Sequence, residues 1–292
     1  MEKNSDLLIT IKDLYPTFSK GQKKIADYIT TNYDKAAFMT AASLSETAGV
    51  SCSTAVRFAV ELGYDGYPAL QKAMQEMVRT KLTNVQRMEI TSKRMGDRDI
   101  LSTILNYDIT KIKQTLEEVD KSAFEKAVET ILSAKKVYIV GIRSASSLSG
   151  FLGFYLGLVL DNVVTVQVST ASGMFEQILR VDEDDVVIAM TFPRYSKRTV
   201  KAVRYARDKK AKIIAITDSK TSPLSEYATY TLIARSDIAS FVDSLVAPLS
   251  LINALIAAIG LRKKDEVSKT FEKLEKIWEE YDVYEKVDNY EK

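Results

Sequence analysis

Histidine is absent from all 292 residues. That excludes histidine acid–base catalysis, Ser-His and Cys-His nucleophile pairs, histidine-ligated metals and histidine phosphotransfer. Any enzymology would rest on carboxylates, lysine, tyrosine or backbone dipoles. Cysteine occurs once, at Cys52, too few for an intramolecular disulfide framework or a thiolate zinc or iron–sulfur site. No cofactor and no metal is expected. Long apolar runs are scarce: Phe151–Leu160 is too short to span a bilayer, and Leu245–Leu261 carries Pro248, Ser250 and Asn253, so both read as buried core helices. The first ten residues, MEKNSDLLIT, are broken by charge and do not read as a signal peptide. A soluble cytoplasmic chain without membrane contact is the expectation. Neither charge is in excess, with 41 Lys and Arg against 39 Asp and Glu, a net of +2. That balance argues neither for nor against nucleic acid.

What the sequence does have divides into two parts. Residues 18–80 read as helices joined by tight turns. Ile25, Tyr28, Ile29 and Tyr33 follow amphipathic spacing after a Ser19 cap. A short helix over about 41–48 ends at Gly49, a third starts at a Ser51 cap and stops at Leu62 before Gly63, and Pro68 suits the first turn of a fourth. The polar, weakly periodic segment 80–99 reads as a linker with some helical character. Two helices follow, at about 100–118 and 122–134. Beyond them come β-branched runs spaced by helices: Val137–Val140, Val163–Val168, Val186–Met190, Lys212–Thr217 and Tyr230–Ala234. Continuous apolar strands alternating with helices imply βαβ units and a parallel sheet. The expected division is a helical domain over 1–80, a linker over 81–99 and an α/β domain over 100–292.

The stretch LSETAGVSCSTAVRFAVELG has the spacing of a helix-turn-helix, whose second helix can enter a major groove. On a helical wheel Ala55, Phe58, Ala59 and Leu62 share one side, while Ser53, Thr54, Arg57 and Glu61 fall on the other. Ser51, Ser53 and Thr54 suit phosphates or base edges, and Arg57 suits a guanine fork or a phosphate clamp. Against this, residues 1–80 hold nine Lys and Arg against nine Asp and Glu, so a helical hairpin with a solvated polar face stays open. Glu61 would repel phosphate and is expected away from backbone contacts. Cys52 falls nearer the packed side and reads as a small buried or half-buried residue rather than a redox switch.

The second part carries two anion-site patterns. VYIVGIRSASSLSG places Gly141 at a strand end and Ser144 and Ser146 at a helix start, where backbone N–H groups and hydroxyls meet the positive helix end. VVIAMTFPRYSKRTVKAVRYA repeats the arrangement with Thr191, Ser196 and Thr199. Of the basic residues there, Lys197, Arg198, Lys201 and Arg204 read as a solvated helix face. Arg194 lies in the loop itself, where ligand contact and a local salt bridge are both open. Hydroxyl-rich loops at the carboxyl ends of parallel strands are where ligands bind in open α/β sheets, and phosphorylated ligands fit them best.

These motifs together resemble the RpiR-type transcriptional regulators. The first part is similar through Ser19-Lys-Gly-Gln-Lys-Lys-Ile-Ala-Asp-Tyr-Ile29, Ala48-Gly-Val-Ser51, Thr54, Arg57-Phe58 and Leu62-Gly-Tyr-Asp-Gly-Tyr67. The second resembles a SIS (sugar isomerase) domain through Val137–Ser147, Ile188–Thr199 and Ile214–Leu224. The resemblance implies a helix-turn-helix domain followed by a five-stranded parallel-sheet, Rossmann-like SIS sandwich. It further implies a phosphosugar effector, double-stranded operator DNA, a homo-oligomer (dimer or tetramer), and control of sugar-phosphate or amino-sugar genes. The third-strand loop departs from the usual Ser-x-Ser-Gly-x-Thr: Thr191 and Ser196 keep the outer hydroxyls, and Pro193-Arg194 replace the middle pair. A guanidinium could stand in for the lost hydroxyl. Two other readings remain: a sugar-phosphate isomerase working through carboxylates, with Glu176 and Asp218 nearest, and a regulator whose SIS domain only dimerises.

Overall fold

The structure is a computed structural model and describes residues 7–81, 83–96, 99–167, 171–236 and 242–285. Its contacts divide the chain into two compact units, Met1–Thr103 with Asp237–Asp243, and Ile104–Ser236 with Ser244–Lys292.

The first unit is helical: α1 (Leu7–Leu14), α2 (Lys20–Thr31), α3 (Tyr33–Ala36), α4 (Ala41–Ala48), α5 (Cys52–Glu61), α6 (Tyr67–Lys81) and α7 (Asn84–Met95). Ser19 caps α2 in a reciprocal capping box with Gln22, a motif that satisfies two backbone donors otherwise left open. The helix ends at Thr31, so Tyr33 opens α3 instead of extending the α2 stripe. Ile25, Ile29, Leu44, Phe58, Leu70 and Met74 are wholly buried and form the core of this unit. Leu7 and Ile11, one turn apart on α1, join it, an N-terminal addition that the pattern beginning at residue 18 misses. Tyr67 Oη and Gln71 Nε2 donate to the Met39 carbonyl at 2.8 and 2.7 Å, which pins the α3–α4 turn to α6. The polar segment read as linker contains α7, started by a Thr83–Gln86 capping box. Its Arg87 is 2% exposed and ion-pairs with Asp243 at 2.8 Å.

The second unit is a doubly wound sheet. Its strands are β1 (Val137–Gly141), β2 (Val163–Val166), β3 (Val186–Met190), β4 (Lys212–Thr217) and β5 (Tyr230–Ile233), all parallel, in the order β2-β1-β3-β4-β5. Each matches an expected run to within a residue or two, and Val168 lies outside the described residues. The helices are α8 (Ile100–Glu118), whose first turn through Thr103 counts with the first unit, then α9 (Lys121–Ser133), α10 (Ala145–Gly157), α11 (Ala171–Gln177), α12 (Lys197–Asp208), α13 (Val246–Arg262) and α14 (Lys264–Glu280). Two apolar clusters show which face each covers. Buried residues of α9, α10 and α13 pack with Ile139, Ile188, Met190 and Ile216. Those of α11 and α12 pack with Tyr138, Val140, Val187 and Ala215 on the opposite face. Every residue of β1 and β3 is buried, as a strand covered on both sides must be.

That layout fixes where a ligand can sit. Strands β1 and β3 are neighbours, with Gly141 level with Met190. The chain leaves β1 toward α10 on one face and β3 toward α12 on the other. Two adjacent loops that diverge to opposite faces open a crevice at the carboxyl end of the sheet, the topological switch point of this strand order.

Candidate functional site

The outward face of α5 is the first candidate surface. Gly49 ends α4 with φ 63° and ψ 48°, a left-handed turn that glycine adopts without strain. Three hydroxyls then gather at the start of α5: Ser51 Oγ lies 2.9 Å from Ser53 Oγ and 2.9 Å from Thr54 Oγ1. Ser51 holds the N-cap position, yet its side chain accepts no backbone N–H. This corrects the expected cap. The oxygen is engaged by the neighbouring hydroxyls instead, so no side chain competes with an anion for the first turn.

Ser53, Arg57 and Glu61 are exposed, while Ala55, Phe58, Ala59 and Leu62 are buried, as the wheel requires. Thr54 is half-buried because α2 backs onto it: a Cβ on Gly21 would lie 3.1 Å from Thr54 Cγ2. Thr54 is therefore partly a packing residue. Cys52 is exposed, against the expectation of a buried or half-buried thiol, since in the first turn no preceding turn of α5 covers it. Nearby Tyr67 has its hydroxyl pushed up to about 12 by burial and, to a smaller degree, by Cys52. The wheel reading also overlooked Val56 and Val60, 41% and 59% exposed, which its angles place beside Ser53.

The crevice is the second candidate surface. Gly141 closes β1 where a Cβ would meet the Ala145 carbonyl oxygen at 2.4 Å, so only glycine lets α10 begin this close to the strand. Ser144 is exposed at the N-cap position of α10, and its side chain makes no cap bond. Ser146 is exposed as well, with Oγ donating to the Arg143 carbonyl at 2.6 Å. It would have to release that carbonyl before donating to an anion.

In the second loop, Thr191 is 4% exposed and its Oγ1 accepts the Ser196 N–H at 2.9 Å. Ser196 caps α12 by accepting the Thr199 N–H at 3.3 Å. Both hydroxyls act as acceptors inside the loop, which leaves each O–H to donate. Thr199 is wholly buried, and its Oγ1 has no hydrogen-bond partner. It lies beneath the loop, away from its rim.

Two arginines hold the same unusual backbone. Arg143 and Arg194 have φ of 61° and 63°, in the left-handed region that side chains rarely occupy, and both are exposed. Arg194 stands where the resembled pattern has glycine, so the loop keeps the glycine-type backbone and puts a guanidinium on it. Such strain, of order 1–3 kcal/mol, persists where the surroundings enforce it, commonly at ligand sites. Sequence reasoning missed Arg143; the signal was its place one residue before the Ser144 helix start.

Beneath the second loop, Tyr195 Oη donates to Asp218 Oδ1 at 3.0 Å, and the Thr217 hydroxyl donates to the Thr191 carbonyl at 2.7 Å. Arg235 donates to the Asp218 carbonyl and ion-pairs with Glu118. Of the carboxylates considered for catalysis, Asp218 is 1% exposed and Glu176 is exposed on α11. No group of three or more His, Cys, Asp or Glu able to hold a metal occurs among the described residues. Among them no single helix is long and apolar enough to cross a membrane.

A helix-turn-helix unit joined to a doubly wound sheet with an open switch point defines a two-domain DNA-binding regulator. Residues 5–81 match the helix-turn-helix domain of the rpiR family, and residues 130–258 match the SIS domain. The chain belongs to the RpiR-type transcriptional regulators. An uncharacterized HTH-type transcriptional regulator of Haemophilus influenzae is 23% identical over 290 residues, covering 94% of this chain and 96% of its own. A counterpart from Clostridium perfringens is 23% identical over 218 residues, 73% of this chain and 76% of the other. Among solved structures, the sugar isomerase domain of an RpiR transcription factor from Sphaerobacter thermophilus is 27% identical with a TM-score of 0.55, covering 59% of this chain and 96% of that one. The Vibrio vulnificus NanR protein complexed with ManNAc-6P is 22% identical with a TM-score of 0.57, covering 93% and 98%.

Proposed function

We propose that the crevice between the β1 and β3 loops binds the phosphate of a phosphorylated sugar, and that occupancy alters the affinity of α5 for operator DNA. The observation that carries this is that the switch point brings together Ser144, at an α10 start without a side-chain cap, and the hydroxyls of Thr191 and Ser196, which accept loop N–H groups and keep their O–H to donate. Gly141 and Ser146 shape the first loop, Arg194 adds a positive charge at the rim of the second, and Thr199 underlies it. The NanR protein of Vibrio vulnificus, complexed with ManNAc-6P, supports the ligand class. An effector of this kind acts only if it prefers one arrangement of the reading heads.

The regulated genes would be those of sugar-phosphate or amino-sugar use. Residues 1–80 would read DNA through Ser51, Ser53, Thr54 and Arg57, 81–99 would link, and 100–292 would sense. The SIS domain is taken as a sensor rather than a catalyst. Without histidine, moving a proton between adjacent carbons would need carboxylates in the crevice, yet Asp218 is held under Tyr195 and Glu176 faces solvent. Two heads on paired half-sites require at least a dimer. Leu101, Leu105, Ile109 and Leu116 of α8 are all exposed, apolar surface of the kind that a second subunit covers. A monomer by sedimentation at DNA-binding concentration would exclude that assembly.

The deciding experiment is a thermal-shift screen against phosphosugars and their unphosphorylated forms. A ligand at about 100 times its dissociation constant adds roughly 2.7 kcal/mol. Hits confined to phosphorylated compounds are expected. Silence across the panel would leave a SIS domain that only dimerises.

A further inference from the structure

The reading helix carries a second kind of surface that its hydroxyls and Arg57 do not account for. Val56 and Val60 are 41% and 59% exposed and one turn apart. On the wheel Val60 lies between Ser53 and Val56, and Val56 flanks the exposed face on the side toward buried Ala59, with Phe58 on the far side of the helix. Neither valine belongs to the apolar core of the first unit. By themselves they do nothing for α5, because β-branched residues are weaker helix formers and outward apolar surface gains no burial.

A major groove changes that balance. The second helix of this motif lies with side chains against base edges. Those edges present one apolar group, the C5-methyl of thymine, while cytosine presents an N–H donor that valine cannot satisfy. Valine also holds essentially one χ1 rotamer in a helix, so its two methyls are offered in a fixed place. We propose that Val56 and Val60 are specificity-determining residues that seat thymine methyl groups next to the base or phosphate held by Arg57. This rests on α5 being the reading helix. Arg57 anchors the helix at its own base or phosphate, and the valines add sequence preference at the neighbouring base steps.

The test uses the full-length protein and an operator selected from random duplexes. Each thymine is replaced in turn by deoxyuridine, which removes only the methyl. Affinities are measured for the wild type and for Val56→Ala, Val60→Ala and Arg57→Ala. At one or more thymines per half-site, the replacement should weaken wild-type binding about fourfold, the burial value of one methyl group. At that same thymine one valine variant should bind both operators equally, whereas Arg57→Ala should lose affinity for both and keep the difference. A wild type indifferent to deoxyuridine at every position would overturn the proposal, as would valine variants that keep full sensitivity. Unchanged binding by Arg57→Ala would instead overturn α5 as the reader, a separable failure.

Discussion

On α5 the outward side chains of Ser53, Arg57 and Val60 are exposed and play no part in the core beneath them. In the crevice the side chains proposed to face a ligand also hold the loop. Thr191 accepts from Ser196, Ser196 accepts from Thr199, and Ser146 ties back to Arg143. One surface is a convex strip of replaceable side chains on a finished helix. The other is a concave set of backbone ends whose hydroxyls are already structural. Specificity on the first can therefore drift by single substitutions without unfolding, while changes to the second cost both stability and recognition.

Arg57→Ala probes the first half of that contrast and should give the largest effect. A bidentate base contact is worth about 1–3 kcal/mol, and paired half-sites count it twice, so specific DNA affinity should fall by about 100-fold. The melting temperature should stay within about a degree, as for other exposed positions. Binding by fluorescence anisotropy and a melting curve on one preparation check both parts. A large drop in melting temperature would break the contrast.

Thr191→Val with Ser196→Ala probes the second half. Effector affinity should fall about tenfold, and stability should fall by about 1–2 kcal/mol, because two loop N–H groups lose their acceptors. Operator affinity without effector should not move. Calorimetric titration with the phosphosugar found in the screen, beside urea unfolding, separates the two losses. A double variant that loses ligand but no stability would show that these hydroxyls are not structural.

The same contrast explains what could be read from the sequence. Strands buried on both faces write themselves as apolar runs, so β1 to β5 were legible almost to the residue, whereas their order in the sheet, which puts the switch point between β1 and β3, was not. The buried stripe of α5 was equally plain, since 3.6-residue periodicity reports burial directly. Fine placement at helix starts was not legible. Ser51 has the composition of a cap but turns its hydroxyl to Ser53 and Thr54, a choice between local partners that residue type alone does not decide. Cys52 was misplaced for a related reason: a wheel averages over turns, and the first turn of a helix lacks one neighbour. The left-handed backbones of Arg143 and Arg194 were hidden because arginine gives no hint of positive φ, whereas the glycine of the resembled pattern would have.

Thr199→Val offers the smallest effect and the sharpest reading of the crevice. The Thr199 hydroxyl is wholly buried without a partner, and leaving such a group unsatisfied costs about 1–3 kcal/mol. Valine has nearly the same shape and needs no partner. Without effector, the variant should gain up to about 1 kcal/mol in urea unfolding. If occupancy of the loop supplies the missing partner, the stabilisation by effector should shrink by a similar amount, so that wild type and variant converge when saturated. A variant less stable than wild type without effector would mean that the hydroxyl is already satisfied. Equal stabilisation by effector in both would place Thr199 in the packing of α12 alone and leave Thr191 and Ser196 as the donors of the second loop.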